Sequence, residues 1–522
     1  MLAAARSRLA RMSVRTRALH LLVAAVLVGA VSGADVALAQ PALLAGFDAY
    51  VAQAVRDWKT PGLAIAVVKN GEIVFAKGYG VRRLGSPEPV DDRTLFAIGS
   101  TTKAMTAAAL GMLVDEGKLT WDDAVIKHLP WFALKDPYVT RELRVRDLLT
   151  HRAGVPSTDA LWYEQDATTR EIIGRLREVD LETSTRTHFT YQNVMYATAG
   201  EVVAAVSGMP WAQFVTTRLF QPLGMTGTLA TSARLAGQRN VAAPHFEIDG
   251  TIVEIQNASV DSVAAAGAVW SSVHDMAQWT KLMLAGGTVG RGAGAPRLLS
   301  AKVMAELFTP QAMVGPDAFY PTARLTTPHW TTYGLGWFQS DYAGEKVDFH
   351  TGSIDGMVAI HGLIRDRGLG VYVLANLDHA ELRHALMYRV FDAYLGRPPR
   401  DWSADLLTLY RGLASDAEAA STKADAARVM GTTPSLTLER YAGTYRDALL
   451  GTVTITWQGA GLRAQYGRGF VGPLAHWHYD TFKATWDARW RGRSLVTFHL
   501  DARGQVASVT TDQGTFARIA AP

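Results

Sequence analysis

The stretch Gly99-Ser100-Thr101-Thr102-Lys103 stands at the start of a segment rich in Ala, Met and Leu. This composition predicts a helix over Thr101 to Glu116. Residues three positions apart share a helical face, so Lys103 can approach the hydroxyl of Ser100. A serine hydroxyl is a weak nucleophile until a base removes its proton, and a buried lysine with a lowered pKa can be that base. Taken alone, the motif is better explained by a helix-capping serine and a surface lysine.

Two further motifs change that balance. Tyr191-Gln192-Asn193 offers a phenol that can relay a proton and an amide that can hold a substrate carbonyl. His350-Thr351-Gly352-Ser353 ends a predicted strand, where glycine allows close backbone approach. The backbone N–H groups of Ser353 and Ser100 could together form an oxyanion hole. Each motif also has an ordinary structural explanation, but the three together predict a catalytic serine site.

Other patterns that could carry chemistry are weaker. Four histidines lack tight metal-ligand spacing and are interpreted as surface or satisfied core residues: His128, His151, His188 and His245. The segment Gly286 to Gly294 matches neither a P-loop nor a dinucleotide fingerprint, which favours a flexible connection. A G-x-S-x-G elbow is absent at Ser100, which argues against an α/β-hydrolase.

Strand signals lie at both ends of the region that carries these motifs. Two β-rich runs flank Asn70-Gly71, the strongest short-range hairpin signal. Later β-rich runs are Tyr333 to Gln339, Lys346 to Thr351, Met357 to Ile364 and Gly368 to Asn376. Helical spacing marks Ala42 to Trp58, Ala199 to Val206 and Ala212 to Leu219. We therefore predict an α/β (α+β) domain over residues 42–398, with a largely antiparallel sheet flanked by helices.

The composition and residue pattern of the sequence change towards the C-terminus. Asp401 to Gly431 is Ala-rich and charged, which predicts a helical linker over residues 399–433. Short alternating runs then predict a small all-β domain, barrel or sandwich, over residues 434–522: Thr452 to Trp457, Leu462 to Tyr466, Leu495 to Leu500 and Val506 to Thr511. The aromatic cluster His476 to Tyr479, with Trp457, Trp486 and Trp490, could bind a sugar or substrate. A structural role in the hydrophobic core of the β domain is favoured over binding of a sugar or substrate.

Residues 1–39 have the pattern of a secretory signal peptide. A basic segment from Arg6 to Arg17 precedes an apolar run from Ala18 to Val31, and Ala37-Leu38-Ala39 forms an A-x-A site before Gln40. The apolar run is shorter than the ~20 residues that a spanning helix needs. We predict export to the periplasm or the cell exterior, with an uncleaved anchor as the alternative. Met12 is a plausible alternative start to Met1.

The charge and the lack of cysteine narrow the function. The leader carries five arginines and Asp35, a charge of +4, which equals the +4 of the whole chain. The mature protein is therefore near neutral, and nothing points to nucleic acid as a partner. The absence of cysteine excludes disulfides and a catalytic thiol.

With these motifs the sequence resembles the penicillin-recognising serine hydrolases, which include class C β-lactamases, DD-peptidases, D-aminopeptidases and family VIII esterases. The resemblance covers roughly Phe47 to Leu395 and is supported by Leu148 to Pro156 and Phe220 to Met225. Leu438 to Tyr445 is similar to the start of an appended DUF3471-type β domain. The fold that this implies is a β-lactamase/transpeptidase-like domain.

The resemblance also implies roles for the motif residues. Ser100 would be acylated, and Lys103 and Tyr191 would share the general base and acid work. Asn193 would orient the substrate amide, while His350, Thr351 and Gly352 would line the strand that receives the substrate. Water would release the acyl group, with no metal and no cofactor.

His350 departs from the β-lactamase pattern, in which lysine is usual at this position. A histidine is mostly neutral near pH 7 and attracts a substrate carboxylate less strongly. Esters and peptides with D-amino acids therefore rank above β-lactams as substrates, and the expected partner is a small molecule or peptide. The alternative from another class is a catalytically silent protein that binds cell-wall peptide or a partner protein in the same cleft.

Overall fold

The Asn70-Gly71 turn joins β1 (Gly62–Lys69) to β2 (Glu72–Gly80), which confirms the predicted hairpin. Asn70 has φ 50° and Gly71 has φ 76°. A two-residue hairpin turn of this kind requires positive φ at both central positions, and Asn-Gly supplies them at little cost. The computed structural model describes residues 42–290, 292 and 294–519, so the predicted leader lies outside the described residues.

The hairpin forms one edge of an eight-stranded antiparallel sheet. The remaining strands of this region are β3 (Phe96–Ala97), β4 (His245–Ile248), β5 (Thr251–Glu254), β6 (Trp270–Ser271), β7 (Ala312–Met313), β8 (Thr331–Tyr333), β9 (Phe338–Tyr342), β10 (Glu345–Ile354), β11 (Met357–Ile364) and β12 (Leu369–Ala375). The strand order in the large sheet is β2-β1-β12-β11-β10-β9-β8-β7, and all neighbours pair antiparallel.

Helices flank this sheet. They are α1 (Phe47–Asp57), α2 (Thr102–Asp115), α3 (Val125–His128), α4 (Pro137–Glu142), α5 (Thr169–Gly174), α6 (Asn193–Ser207), α7 (Trp211–Val215), α8 (Ala264–Gly267), α9 (Val273–Leu284), α10 (Ala301–Phe308), α11 (Ala323–Thr326), α12 (Leu382–Tyr394) and α13 (Trp402–Ala426). An antiparallel sheet with helices around it confirms the α/β (α+β) architecture predicted for this region. None of the helices in the described part of the chain is long and apolar enough to span a membrane.

Both faces of the sheet are buried. Alternate residues of β1 enter opposite cores: Leu63, Ile65 and Val67 pack with α1 and α12, and Ala64, Ala66 and Val68 pack with α2 and α9. A strand buried on both sides is apolar throughout, which explains the continuous hydrophobic run in this segment.

Helix α2 runs through the interior, with every residue from 102 to 113 buried. Because Ala, Met and Leu cover all of its sides, the helix can be enclosed completely. Lys103 is carried into the interior with it and is 0% exposed. The fold therefore places a lysine amine where water cannot solvate it.

One predicted strand is interrupted. The segment Tyr333 to Gln339 was expected to be continuous, but β8 ends at Tyr333 and β9 begins at Phe338. Between them Gly336 has φ 87°, and a Cβ on it would lie 2.9 Å from the Cα of Ala104. The chain turns here because it packs directly on the backbone of α2.

The helix predicted as a linker over residues 399–433 begins in the packed core. Helix α13 spans Trp402–Ala426, and Trp402 is 1% exposed. Its indole stacks on Tyr388 with ring centroids 5.0 Å apart, and its Nε1 donates to Asp392 Oδ2 at 2.7 Å. The first turns of α13 therefore belong to the hydrophobic core on one face of the eight-stranded sheet.

The C-terminal strands close into an eight-stranded barrel, which decides between the two predicted architectures. They are β13 (Gly443–Asp447), β14 (Gly451–Trp457), β15 (Leu462–Tyr466), β16 (Phe470–His478), β17 (Thr481–Thr485), β18 (Arg493–Leu500), β19 (Val506–Thr511) and β20 (Gly514–Arg518).

The assignment of the tryptophans to the core of the barrel is correct only for Trp486, which is 6% exposed. Trp457 is half-buried at the edge of that core. Trp477 lies outside this core, where Lys483 and Arg428 cover its ring. The indole N–H of Trp490 donates at 3.2 Å to Asp355, which lies in the region of the eight-stranded sheet. Part of the aromatic surface of the barrel therefore serves contacts outside its own core.

Candidate active site

Ser100 and Lys103 meet at the start of α2. Ser100 lies in a single 3-10 turn, Gly99–Thr101, and α2 begins at Thr102, one residue later than predicted. The Nζ atom of Lys103 is 2.9 Å from the Oγ atom of Ser100. The alternative of a surface lysine is wrong, because Lys103 is fully buried.

Two acceptors fix the rest of the lysine amine. Nζ donates to Asn193 Oδ1 at 2.7 Å and to the backbone carbonyl of Ala266 at 3.0 Å. Burial lowers the pKa of Lys103 to about 7, and the negative charge of Asp159 opposes that shift. The neutral amine, which has a free lone pair, is therefore substantially populated near neutral pH.

Tyr191 lies on the other side of the nucleophile and hydrogen-bonds to Ser100. Its ring centroid is 4.7 Å from Nζ of Lys103. Burial raises the pKa of Tyr191 well above 10, although its hydrogen bond with Ser100 works against this shift. The phenol is therefore protonated at neutral pH and can act as a donor or relay.

The ring of His151 packs against the ring of Tyr191, a contact that sequence reasoning missed. The two rings stack with centroids 4.3 Å apart, and His151 is 1% exposed. Its Nδ1 accepts from the backbone N–H of Gln192 at 2.9 Å, and its Nε2 has no partner among the described residues. Burial, reinforced by the charge of Lys103, holds the pKa of His151 well below 6.5. His151 is therefore an uncharged residue that packs against Tyr191. The expectation of a core residue with satisfied hydrogen bonds is met at Nδ1 and is not met at Nε2.

Strand β10 comes unusually close to the turn that carries Ser100. A Cβ on Gly352 would lie 1.9 Å from the carbonyl oxygen of Ile98 and 3.0 Å from the nitrogen of Ser100. A Cβ on Gly99 would lie 2.6 Å from the nitrogen of Ser353. The two glycines let the backbones meet, which puts the N–H groups of Ser100 and Ser353 side by side. The expectation had been that Gly352 makes room for substrate; its closest neighbour is the nucleophile turn.

His350 faces away from the substrate space, contrary to expectation. The residue is 1% exposed and does not line the cavity at Ser100. Its Nδ1–H donates to the carbonyl of Thr351 at 2.6 Å, and its Nε2 accepts from the hydroxyl of Tyr333 at 2.9 Å. Burial lowers the pKa of His350 to about 3. The histidine is an uncharged support beneath the strand, while Thr351 and Ser353 line the cavity.

Asn193 links the lysine to a carboxylate that sequence reasoning also missed. Its Oδ1 accepts from Lys103, and its Nδ2 donates to Asp159 Oδ1 at 3.0 Å. The indole N–H of Trp162 donates to the same Asp159 oxygen at 2.8 Å. Asp159 begins a single 3-10 turn, Asp159–Leu161, in a segment without periodic pattern, 34 residues before Asn193, so no local signal could have found it.

A cavity of about 970 Å³ opens at Ser100. Aromatic side chains form a large part of its walls: Trp162, Tyr163, Phe189, Tyr191, Phe319, Tyr320, Phe338, Tyr466 and Phe470. Tyr466, Phe470 and Gln513 come from the barrel, which therefore supplies part of the wall of the site. A serine with a neutralisable lysine, a protonated tyrosine and two adjacent backbone N–H groups can perform acyl transfer in such a cavity.

The fold and this cluster define a serine–lysine site in a β-lactamase-like domain. The Beta-lactamase family model matches residues 47–395, and a domain of unknown function, DUF3471, matches residues 427–520. The chain belongs to the Beta-lactamase family, whose members are typically hydrolases.

Similar proteins include the Unguisins hydrolase ungD of Aspergillus violaceofuscus, which is 30% identical over 84% of this chain and 82% of its own length. Protein flp of Staphylococcus aureus is 25% identical over 61% of this chain and 60% of its own. Among solved structures, the octameric penicillin-binding protein homologue from Pyrococcus abyssi has a TM-score of 0.60 at 22% identity, covering 91% of this chain and 100% of that one. A D-stereospecific amidohydrolase from Streptomyces has a TM-score of 0.52 at 22% identity, covering 63% and 94%. These last two likenesses concern the fold.

Proposed function

We propose that this protein is an exported serine hydrolase that cleaves an amide or ester bond through an acyl-Ser100 intermediate. The observation that carries the proposal is the 2.9 Å contact between Ser100 Oγ and the buried amine of Lys103. Without that contact the serine hydroxyl would have no base at hand.

Lys103 is the general base in this proposal. A neutral amine has two N–H bonds and one lone pair, and two of the three neighbours of Nζ accept hydrogen bonds from it: Asn193 Oδ1 and the carbonyl of Ala266. The lone pair is left for the third neighbour, the hydroxyl of Ser100. The proton of Ser100 therefore passes to Nζ as Oγ attacks the substrate carbonyl.

Tyr191 carries the proton onwards. As a protonated phenol hydrogen-bonded to Ser100, it can donate to the departing nitrogen or oxygen and be reprotonated from Lys103. The oxyanion that forms on the carbonyl oxygen is stabilised by the backbone N–H groups of Ser100 and Ser353. Water then attacks the acyl-enzyme with the same groups in reversed roles and releases the acid.

Peptides and esters fit this site better than β-lactams with a carboxylate. His350 is uncharged, and no Lys, Arg or His is among the described residues that line the cavity. The relative named as a hydrolase of unguisins supports a hydrolytic function.

Export rests on the leader pattern of residues 1–39. The N-terminus of protein recovered outside the cytoplasm should be Gln40, and recovery of chains that retain residues 1–39 would contradict export with cleavage.

The test of the catalytic proposal is intact-mass spectrometry after brief exposure to a fluorophosphonate, a reagent for activated serines. Wild-type protein should gain one adduct, and Ser100→Ala should gain none. Ser157→Ala, which removes an exposed hydroxyl outside the cavity, is the matched control and should react like wild type. A wild-type protein without an adduct, or an adduct that persists in Ser100→Ala, contradicts the proposal. Turnover of p-nitrophenyl acetate, lost in Ser100→Ala, separates a hydrolase from a silent binding protein.

A further inference from the structure

Asp159 is a carboxylate in the reaction cavity that the proposed mechanism leaves unused. Both of its hydrogen bonds end on one oxygen, Oδ1, which accepts from Trp162 and Asn193. The other oxygen, Oδ2, has no hydrogen-bond donor within the described chain. Because the two donors hold the carboxylate in one orientation, Oδ2 is a fixed acceptor in a cavity that Ser100 also lines.

The charged side chains that line the cavity are all acidic. The charged residues that line it are Asp159, Glu182 and Asp317. The cations around it are already engaged. Lys103 lies beneath the surface, and Arg383 is bonded to Glu381, to the carbonyls of Gly352 and Ala359 and to Ser353 Oγ. Arg491, whose guanidinium lies near the rings of Tyr163 and Phe470, is paired with Glu164. A substrate carboxylate would therefore be repelled at this cavity, and a substrate cation would be attracted.

The aromatic walls suit the same kind of ligand. Trp162, whose indole anchors Asp159, and Tyr163 line the cavity beside it. Aromatic faces attract an ammonium group electrostatically, and they also bury a large apolar side chain. A carboxylate with aromatic neighbours thus matches an amine that is attached to an apolar residue.

The position of Asp159 relates the amine to the bond that is cleaved. The carboxylate is joined to Ser100 by three successive hydrogen bonds, through Asn193 and Lys103. A group bound at Oδ2 therefore shares the cavity with the carbonyl that Ser100 attacks. The α-amino group of an amino-acid amide or ester is separated from its carbonyl by a single carbon and suits this arrangement.

We propose that the substrate is an amide or ester of an amino acid with a free, protonated amine and a large apolar side chain, and that Asp159 binds the amine. The inference rests on the proposed acyl-Ser100 chemistry. It makes Asp159 a specificity determinant: the ammonium donates to Oδ2, while neutral N-acylated and carboxylate-bearing analogues lose that ion pair.

The test compares phenylalanine p-nitroanilide with its N-acetyl form, in both the D and the L series. Wild-type protein should favour the free amine in kcat/KM by about 10- to 100-fold in at least one series, as expected for a charge-assisted hydrogen bond. Asp159→Asn keeps an oxygen for Trp162 and Asn193 but removes the charge, and should abolish that preference. Using the ratio of the two substrates cancels any effect of the substitution on Lys103. Asp317→Asn, at an exposed carboxylate on the same cavity, is the matched control and should keep the preference.

The outcomes separate the two proposals. A wild-type preference for the N-acetyl form, or a preference that survives in Asp159→Asn, overturns the inference. Hydrolysis of neither anilide by a protein whose Ser100 still reacts with fluorophosphonate also overturns it and leaves the serine chemistry standing. Loss of fluorophosphonate labelling in the wild type instead contradicts the proposed function itself.

Discussion

The protonation state of one residue, Lys103, controls the proposed chemistry. The amine is fully buried, and burial disfavours its charged form. The nearest carboxylate, Asp159, does not contact the amine but reaches it through the amide of Asn193. The lysine therefore feels an attenuated negative charge, which leaves its pKa at about 7 instead of still lower.

The pH dependence of turnover should report this balance. Since the base is neutral Lys103, kcat/KM for a neutral ester should rise with pH through about 7 and then level off. Asp159→Asn removes the charge that raises the lysine pKa, so its rising limb should move to lower pH. The measurement is a kcat/KM profile for p-nitrophenyl acetate between pH 5 and 9 (roughly the range in which such bases titrate). A flat wild-type profile, or a shift to higher pH in the variant, would contradict the assignment of Lys103 as base.

At the scale of elements, the site depends on how closely β10 lies against the turn before α2. The strand supplies the N–H of Ser353 and the turn supplies that of Ser100, and only glycine at positions 99 and 352 permits the contact. A side chain at either position would force the two backbones apart. The proposed oxyanion hole therefore depends on backbone packing between two elements rather than on any polar side chain.

Gly352→Ala should separate these elements, because its Cβ would come within 1.9 Å of the carbonyl oxygen of Ile98. We expect kcat to fall by about 10²–10³-fold, the cost of losing an oxyanion-hole donor. The overpacking should also destabilise the fold by about 1–3 kcal/mol. Gly412→Ala, in helix α13 with open space around it, is the control and should leave kcat unchanged. Circular dichroism against urea gives the stability, and an alanine at 352 with full kcat would refute the proposed geometry.

Elements with strong local signals were predictable, and contacts between elements were not. The Asn70-Gly71 hairpin and strand β11 follow the sequence pattern, because turn chemistry and apolar runs are local properties. Strands β13, β16, β17 and β20 were not among the predicted runs. In β16, Gly472 and Pro473 interrupt the alternation. Gly472 is required there since a Cβ would lie 2.1 Å from the carbonyl oxygen of Thr485, a long-range contact.

The same limit applies to the site. The three motifs that carry Ser100, Tyr191 and Gly352 have readable patterns, and the structure brings them together. Asp159 and His151 belong to the site only through tertiary contacts. The sequence around each residue therefore gave no indication of a role in the site. The orientation of His350 was also unreadable, because the alternation of β10 does not say which face lies towards substrate.

At the scale of the whole molecule, the barrel holds the loop that carries Asp159. Tyr466 donates to the carbonyl of Ala160 at 3.2 Å, and the backbone N–H of Arg468 donates to the carbonyl of Glu164 at 2.7 Å. Asp355, in the turn between β10 and β11, accepts from Tyr163 at 2.6 Å and from Trp490 at 3.2 Å. The barrel thereby joins two segments that border the cavity, and the appended domain contributes to the geometry of the site as well as to its wall.

The centre of this junction is the ion pair between Arg491 of the barrel and Glu164 of the loop. Nη2 lies 2.8 Å from Oε1, and the side chains are only 6% and 13% exposed. The guanidinium also lies near the rings of Tyr163 and Phe470, which line the cavity. Both charges are largely removed from water, so loss of Arg491 leaves the carboxylate of Glu164 without its cation. Loss of Glu164 leaves Arg491 with only the more distant carboxylate of Asp355, at 3.8 Å.

A double-mutant cycle should measure that dependence. Arg491→Met and Glu164→Gln should each lower stability in urea, and the double variant should lose less than their sum, with a coupling of about 0.5–3 kcal/mol. Arg491→Met should also lower kcat/KM for phenylalanine p-nitroanilide by about tenfold or more, since displacement of a positioning loop disturbs substrate alignment. Fluorophosphonate labelling of Ser100 should persist, because Lys103 and Tyr191 belong to the catalytic region alone. Arg489→Met, which removes an exposed interdomain pair with Asp249, is the control and should change neither quantity appreciably. Additive effects in the cycle, or unchanged kcat/KM in Arg491→Met, would show that the barrel packs against the loop without positioning it.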